Sequence, residues 1–501
     1  MLRKIRIALA ALVLVGITLL LIGIGHEWWG WMAKLQFLPS CLALNFGVIA
    51  LITILTLILG RLYCSVICPM GIFQDVVIWL RRRIGLGLQK SQANKMKKAK
   101  AEGKEVGKPK QWVKRFAYSP EHKWVRYAVL ALLVVAICAG LQVIVAILAP
   151  YSAYGRMVRS FVGIAEGNAF AAGVVSVTIV GLLTCIAIFL CAWFWGRAYC
   201  NTVCPVGTVL SLFSRFAMFR PTIDTSKCIG CAKCEKACKA SCISSFSHSI
   251  DYSRCVDCFD CIDNCQEGAI KYRFAWGKKD SAPAKASPAK EEAVDTGRRT
   301  FAASAALLLG GAALKAQEMK VDGGFADVID KQIPSRSERL VPFGSGSVKN
   351  FYDHCTACQL CVSACPNGVL RPSGDLEHLL QPQMGYEKGY CRPECTECSQ
   401  VCPAGAILPV QPAEKFTIHI GTASVNYDLC FAANGEADCG NCSRHCPVGA
   451  IRMVDNDKYG HKIPVVVEDQ CIGCGACEFL CPSRPISAIT VSGLSVHRNN
   501  N

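Results

Sequence analysis

The fold predicted for this 501-residue sequence is a membrane bundle of four α-helices in two repeated hairpins, followed by two small α+β domains built around cysteine runs. Three observations predict it. Four long apolar segments precede residue 200. A twelve-residue motif with two cysteines recurs at the end of the second and fourth segments. Beyond residue 225, twenty-four of the 33 cysteines fall into six runs of four.

The apolar segments are Ile5 to Gly25, Leu42 to Gly60, Val125 to Ala149 and Ala171 to Trp195, each long enough to span a bilayer. Trp28, Trp29 and Trp31 follow the first, where amphipathic aromatics suit an interface. More spanning segments follow it and no small-residue cleavage site does, so it is not a removed secretory signal. The formal net charge is +17, and much of the excess lies in Arg81, Arg82, Arg83 and the run from Lys90 to Arg115. A basic loop between apolar segments follows the positive-inside rule, which places the N-terminus, this loop and the end of the fourth segment in the cytoplasm. No nucleic-acid-reading motif accompanies the charge, so nucleic acid is excluded as a partner.

The repeat runs from Gly60 to Gly71 and again from Gly196 to Gly207, with Gly, Arg, Tyr, both Cys, Pro and Gly retained at an offset of 136. Its thiols, Cys64, Cys68, Cys200 and Cys204, are candidate redox-active or metal-binding groups, because thiolates favour soft metals and clusters. The structural alternative is that each C-x3-C-P merely shapes a helix end. Cys41, Cys138, Cys185 and Cys191 read as small apolar residues within helices. His26 and His122 fall on opposite predicted sides of the membrane, which argues against a bis-histidine haem.

Four of the six runs read C-x2-C-x2-C-x3-C, the spacing with which bacterial ferredoxins hold [4Fe–4S] clusters, three cysteines on one cluster and the fourth on its neighbour. Disulfide frameworks have scattered spacings, and zinc ribbons separate their two Cys-x2-Cys pairs. Both domains are therefore predicted as bacterial-ferredoxin-like α+β units. The first, 218–276, follows the fourth helix and carries Cys228, Cys231, Cys234, Cys238 and Cys255, Cys258, Cys261, Cys265. Exchange of the fourth ligand groups Cys228, Cys231 and Cys234 with Cys265, and Cys255, Cys258 and Cys261 with Cys238. Lys239 and Gln266 stand where proline ordinarily follows, and Cys242 is a plausible substitute for Cys238.

A solvated linker, 277–297, leads to Arg298-Arg299 and an apolar stretch, 298–317, that reads as an internal twin-arginine signal or a fifth anchor. Leu314-Lys315-Ala316 is a weak candidate cleavage site, and a short buried helix is the alternative reading of the stretch. The exported domain, 318–492, then carries Cys355, Cys358, Cys361, Cys365; Cys391, Cys395, Cys398, Cys402; Cys430, Cys439, Cys442, Cys446; and Cys471, Cys474, Cys477, Cys481. Pro366, Pro403, Pro447 and Pro482 follow the terminal cysteines. Iron, through these cysteines, is the predicted metal, in six [4Fe–4S] clusters. The bundle with its repeated motif occupies 1–217.

The repeated C-x3-C-P on apolar helices followed by two cysteine runs resembles the NapH/MauN ferredoxin-type membrane proteins over about 1–275. The Arg-Arg signal with four runs is similar to the NapG/MauM family over about 296–490, so the chain looks like a fusion of the two. That resemblance implies a quinol dehydrogenase of the bacterial cytoplasmic membrane, taking electrons from the quinone pool to a periplasmic terminal reductase or cytochrome. It implies a cytoplasmic first ferredoxin domain and a periplasmic second one. Resemblance to four-cluster electron-transfer subunits implies nested pairing of the last four runs, first with fourth and second with third. Arg61, Arg197, Tyr63 and Tyr199 either line a quinone site or anchor helices at the interface. Another C-x3-C-P family implies instead a reductase for copper-centre assembly, and an iron–sulfur regulatory scaffold is a third reading. No c-haem motif is present, so the terminal catalytic centre lies in another protein.

Overall fold

A computed structural model describes residues 1–101, 116–167, 174–275, 329–375, 377–456 and 461–499. The Arg298-Arg299 signal, the 298–317 segment and the 277–297 linker lie outside the described residues.

The first apolar segment forms α1 (Leu2–Ile22), 21 residues that end at Gly23, whose φ of 104° no side chain would favour. At about 1.5 Å per residue, α1 is about 31 Å long. After α2 (His26–Lys34) and α3 (Phe37–Leu42), the second apolar segment gives α4 (Phe46–Leu59), only 14 residues. It starts late because the Asn45 side chain accepts the Val48 N–H, and it stops at Gly60. The third segment breaks at Gly140, φ 71°, into α7 (Lys123–Cys138) and α8 (Gln142–Leu148). The fourth contributes α10 (Val174–Trp195).

The four-span expectation is therefore met only in part. Among the described residues, two helices, α1 and α10, are long and apolar enough to cross a membrane. Apolar length alone hid the cap at Asn45 and the left-handed turn at Gly140. The bundle also gains α5 (Tyr63–Val66), α6 (Pro69–Ala101), α9 (Pro150–Ala165) and α11 (Pro205–Ser214), so two simple hairpins do not describe it. Proline of each C-x3-C-P opens α6 and α11, where its missing N–H is not needed. The basic Arg81–Arg83 stretch continues α6 rather than forming a loop.

The two-run domain pairs β1 (Phe219–Ile223) antiparallel with β4 (Ile270–Phe274), beside the short hairpin β2 (Ile243–Ser244) and β3 (Ser249–Ile250). It caps the start of α1, where Arg3 bonds Asp260 at 2.8 Å. The four-run domain carries the hairpin β5 (Leu370–Pro372) and β6 (Pro382–Met384), the pair β8 (Ile451–Asp455) and β9 (Lys462–Val466), and the long antiparallel pair β7 (Ile418–Val425) and β10 (Ile489–Asn499). It meets the opposite end of α1: a Cβ on Gly23 would stand 3.0 Å from the Ser363 carbonyl oxygen. Contact is closer at α9, where a Cβ on Gly155 would lie 2.3 Å from the Cys358 carbonyl oxygen. Leu360, Ala364 and Val401 of this domain share one core with Ile17, Leu20 and Tyr151 of the bundle. The two cysteine-rich domains thus sit at opposite ends of a helix about 31 Å long.

Candidate functional site

Three thiols spaced two residues apart can face one point only if the backbone between them coils back on itself. The four plain runs do this in one way. The second and fourth residues after the first cysteine are left-handed: Gly230 and Ala232, Asp257 and Phe259, Ala357 and Gln359, Gly473 and Gly475, with φ from 47° to 80°. Five of these eight are not glycine, so the turns carry strain of order 1 kcal/mol each, of the kind stored at functional sites. Glycines 230, 473 and 475 were the only hint of it in the sequence.

The fourth cysteines are exchanged as the spacing predicts within the two-run domain. Cys228, Cys231, Cys234 and Cys265 ring one cavity, and Cys255, Cys258, Cys261 and Cys238 ring another. Cys242 lines the second as a fifth thiol, its Sγ 3.5 Å from that of Cys238. The Cys242 thiol and backbone N–H groups pull the Cys238 thiol down to about 7, while Cys242 itself is held up. The Cys242 N–H also donates to Cys238 Sγ at 3.5 Å, so Cys238 is the acceptor of the pair.

In the four-run domain the nested pairing is overturned in favour of sequential pairing. Cys391, Cys395 and Cys398 share a cavity with Cys365, and Cys430, Cys439 and Cys442 share one with Cys481. Reciprocally, Cys402 stands with Cys355, Cys358 and Cys361, and Cys446 with Cys471, Cys474 and Cys477. The β5–β6 hairpin lies between runs one and two, and the β8–β9 pair between runs three and four, so each folds a run onto its chain neighbour. The four sets form a row. Cys361 adjoins Cys398, the Cys391 N–H donates to the Cys474 carbonyl at 3.0 Å, and Cys477 adjoins Cys442.

Among the described residues no three His, Cys, Asp or Glu side chains converge tightly enough for a single metal ion. Thiols spread around a cavity fit a multi-iron cluster, which separates its ligands, better than one ion. A second observation fits the same group. The Arg156 guanidinium is fully buried beside Cys358, and none of its three nitrogens has a partner. An anionic iron–thiolate group at Cys355, Cys358, Cys361 and Cys402 is what such a cation lacks. Lys415, 2% exposed, stands against the next set, its Nζ donating to Cys391 Sγ at 3.2 Å.

The repeated motif forms a separate centre inside the bundle, between the two-run domain and Arg156. Cys64, Cys68, Cys200 and Cys204 are all buried there, and two fully buried arginines tie the repeats together reciprocally. Arg61 Nη2 donates to the Cys200 carbonyl at 3.3 Å and lies 3.7 Å from Cys64 Sγ. Arg197 Nη1 donates to the Cys64 carbonyl at 2.7 Å. Gly71 and Gly207 are required by this approach: a Cβ on either would stand 2.1 or 2.2 Å from the Cys64 or Cys200 carbonyl oxygen. Gln74 Nε2 adds a 3.1 Å bond to Cys200 Sγ. Both arginines are internal cross-links rather than interface anchors. Tyr63 is held by Gln36 Oε1 and the Phe37 N–H, and Tyr199 lies between Cys204 and Arg156.

Asp75 neutralises this centre. It bonds Arg6 at 2.8 Å and Arg197 at 2.9 Å, and lies 3.5 Å from Lys239, which also reaches Asp260 at 3.2 Å. Burial opposes its ionisation, but the Arg197, Lys239 and Arg6 cations outweigh burial and hold its carboxyl far below the ordinary range. Lys239, noticed in the sequence only as a missing proline, thus joins Arg3 in bonding bundle and two-run domain. Asp75, Gln74, Arg156 and Lys415 carry no such signal, since their partners are remote in sequence.

Comparisons with known proteins fit this geometry. A family model described as a 4Fe-4S binding domain matches residues 43–87 and 177–223, the two C-x3-C-P repeats. One described as a 4Fe-4S dicluster domain matches 354–406 and 437–484. The chain is similar to the ferredoxin-type protein NapF of Escherichia coli, 29% identical over 36% of this chain and 100% of that protein. It is similar to the methylamine utilization ferredoxin-type protein MauM of Paracoccus denitrificans, 31% identical over 37% of this chain and 82% of that protein. The ferredoxin-type protein NapG of Haemophilus influenzae is 29% identical over 28% of this chain and 53% of its own length.

Proposed function

Because the chain belongs to the family of ferredoxin-type proteins that includes MauM, and is an iron–sulfur electron-transfer protein related to the Nap and Mau systems, we propose that it is a membrane quinol dehydrogenase. It takes electrons from quinol at the two-run end of the bundle and delivers them to a redox partner at the four-run end. One observation carries this reading: sets of thiols occur at both ends of α1 and between them, in one continuous core.

In this reading the bundle crosses the cytoplasmic membrane through α1 and α10, with the two-run domain inside and the four-run domain outside. The six sets of four cysteines hold six [4Fe–4S] clusters, with Cys238 rather than Cys242 completing the second. Each cluster, when bound, takes up and releases one electron. The protein supplies what surrounds that exchange. Apolar walls exclude water, the left-handed turns orient the thiols, and Arg156 and Lys415 balance negative charge. The acceptor is a periplasmic reductase or cytochrome.

The test is EPR of membranes containing the chain after addition of a menaquinol analogue. Reduced iron–sulfur signals are expected; clusters that stay oxidised while dithionite reduces them would refute the dehydrogenase reading. Two further outcomes are expected. Cys238→Ser loses one cluster's iron, whereas Cys242→Ser keeps it, as iron analysis and EPR of the purified variants would report. Lys415→Met lowers one midpoint potential by on the order of 100 mV in a redox titration. A unit charge about 5 Å away is worth about 3 kcal/mol at an effective dielectric constant of about 20, and 59 mV is a tenfold change for one electron.

A further inference from the structure

An apolar groove runs along the outside of the bundle at the two-run end. Leu2, Ile5 and Leu9 of α1 form one wall, and Ile52, Leu55 and Leu59 of α4 form the other. Tyr63 and Arg6 line it between the helices, and Phe259 and Tyr272 of the two-run domain close its end. Its cavity volume is about 370 Å³, within the range of small-molecule sites.

Its polar groups are few and mostly engaged. The Tyr63 hydroxyl donates to Gln36, and the Tyr272 hydroxyl donates to the Leu59 carbonyl at 3.0 Å. Arg6 is the exception. It is 5% exposed, and its Nη1 reaches Asp75 and the Ser65 carbonyl, yet its buried Nε–H has no partner. A single unspent donor in an apolar slot calls for a ligand that is mostly hydrocarbon with one acceptor at its head. The closing wall narrows the class further. Phe259 is the left-handed residue between Cys258 and Asp260, and its ring packs edge-on against Tyr272 at 5.1 Å. A head group in the groove therefore rests against the loop that carries the second cysteine set.

We propose that this groove is the quinol and quinone site, with the Arg6 Nε–H donating to a ring oxygen and the isoprenoid tail lying between α1 and α4. The assignment rests on the quinol reading above and names its site. A lipid acyl chain lacks the head-group acceptor and leaves Arg6 unpaired.

The test uses the full, cluster-loaded chain in lipid nanodiscs, titrated with decylubiquinone and read by co-sedimentation. Two variants carry it: Leu9→Trp, which fills the groove from a half-exposed position, and Arg6→Lys, which keeps a cation for Asp75 but removes Nε–H. Expected are one quinone per chain, at least about tenfold weaker binding in Leu9→Trp, and about five- to tenfold weaker binding in Arg6→Lys, the worth of a charged hydrogen bond. EPR of the dithionite-reduced variants stays as in the parent, which shows that neither has unfolded. Equal binding by parent and both variants, or none by the parent, overturns the site. If quinol reduces the clusters of Leu9→Trp with an unchanged KM, the site lies elsewhere while the dehydrogenase reading stands. If quinone binds as described but quinol reduces no cluster, the groove stands and the dehydrogenase reading falls.

Discussion

Replacing Cys68 and Cys204 together by alanine is expected to leave both cysteine-rich domains loaded with iron while slowing quinol-driven reduction of the four-run domain by about a hundredfold or more. The two domains are separated by the length of α1, about 31 Å, and electron transfer through protein decays exponentially with distance. The proposed electron path therefore requires a redox group between them. The four buried thiols of the repeat, cross-linked by Arg61 and Arg197, are the groups placed to supply it. Tyr199 and Arg156 continue the path from Cys204 toward Cys358. A hundredfold loss corresponds to about 2.7 kcal/mol of barrier. If the cysteines serve only packing, alanine costs some stability and leaves the rate unchanged. Stopped-flow absorbance with a short-chain quinol separates these outcomes, and dithionite reduction of the same samples checks that every site is still filled.

Asp75→Asn is expected to destabilise the bundle and its docked domain by roughly 3–5 kcal/mol, because removing one partner of a buried ionic network leaves the others uncompensated. Arg6, Arg197 and Lys239 would then share a site with no carboxylate except Asp260. Half-exposed Arg3, whose pairing with Asp263 is solvated, provides the contrast: Asp263→Asn should cost no more than about 1 kcal/mol. The same network fixes a pH dependence. The Asp75 carboxyl titrates below its unfolded value, so its contribution is complete above about pH 4 and is lost progressively as pH falls below that. Thermal melts of the detergent-solubilised chain at pH 7 and about pH 2.5 measure both effects. The parent should lose stability on acidification, and Asp75→Asn should lose less, having no such carboxylate to protonate.

The parts of this molecule that were legible in its sequence are those where chemistry dictates spacing. Three thiols on one cluster require the C-x2-C-x2-C run, and exchange of Cys265 and Cys238 follows from that run alone. Duplication of the C-x3-C-P motif was legible too, because Arg61 and Arg197 must each reach the other repeat. What the sequence hid depends on how the chain travels in space. Pairing of the last four runs was misread because the path set by the β5–β6 and β8–β9 hairpins outweighs any symmetry of motif. The helix lengths of the second and third apolar segments depend on local backbone signals, the Asn45 cap and the Gly140 turn, which apolar length does not register. Lys239 and Arg156 were unreadable for a third reason. A buried cation declares itself only through partners remote in sequence, here Asp75 and Cys358.

In the proposed mechanism electrons enter at the two-run end and leave through the four-run row. Freeze-quench EPR after mixing the oxidised, cluster-loaded chain with a short-chain quinol tests it most directly, with signals assigned from variants lacking the cysteines of either domain. Signals of the two-run domain should rise first and those of the four-run domain should follow. Reduction of the four-run domain first, or at an undiminished rate when the Cys64, Cys68, Cys200 and Cys204 thiols are absent, would contradict it.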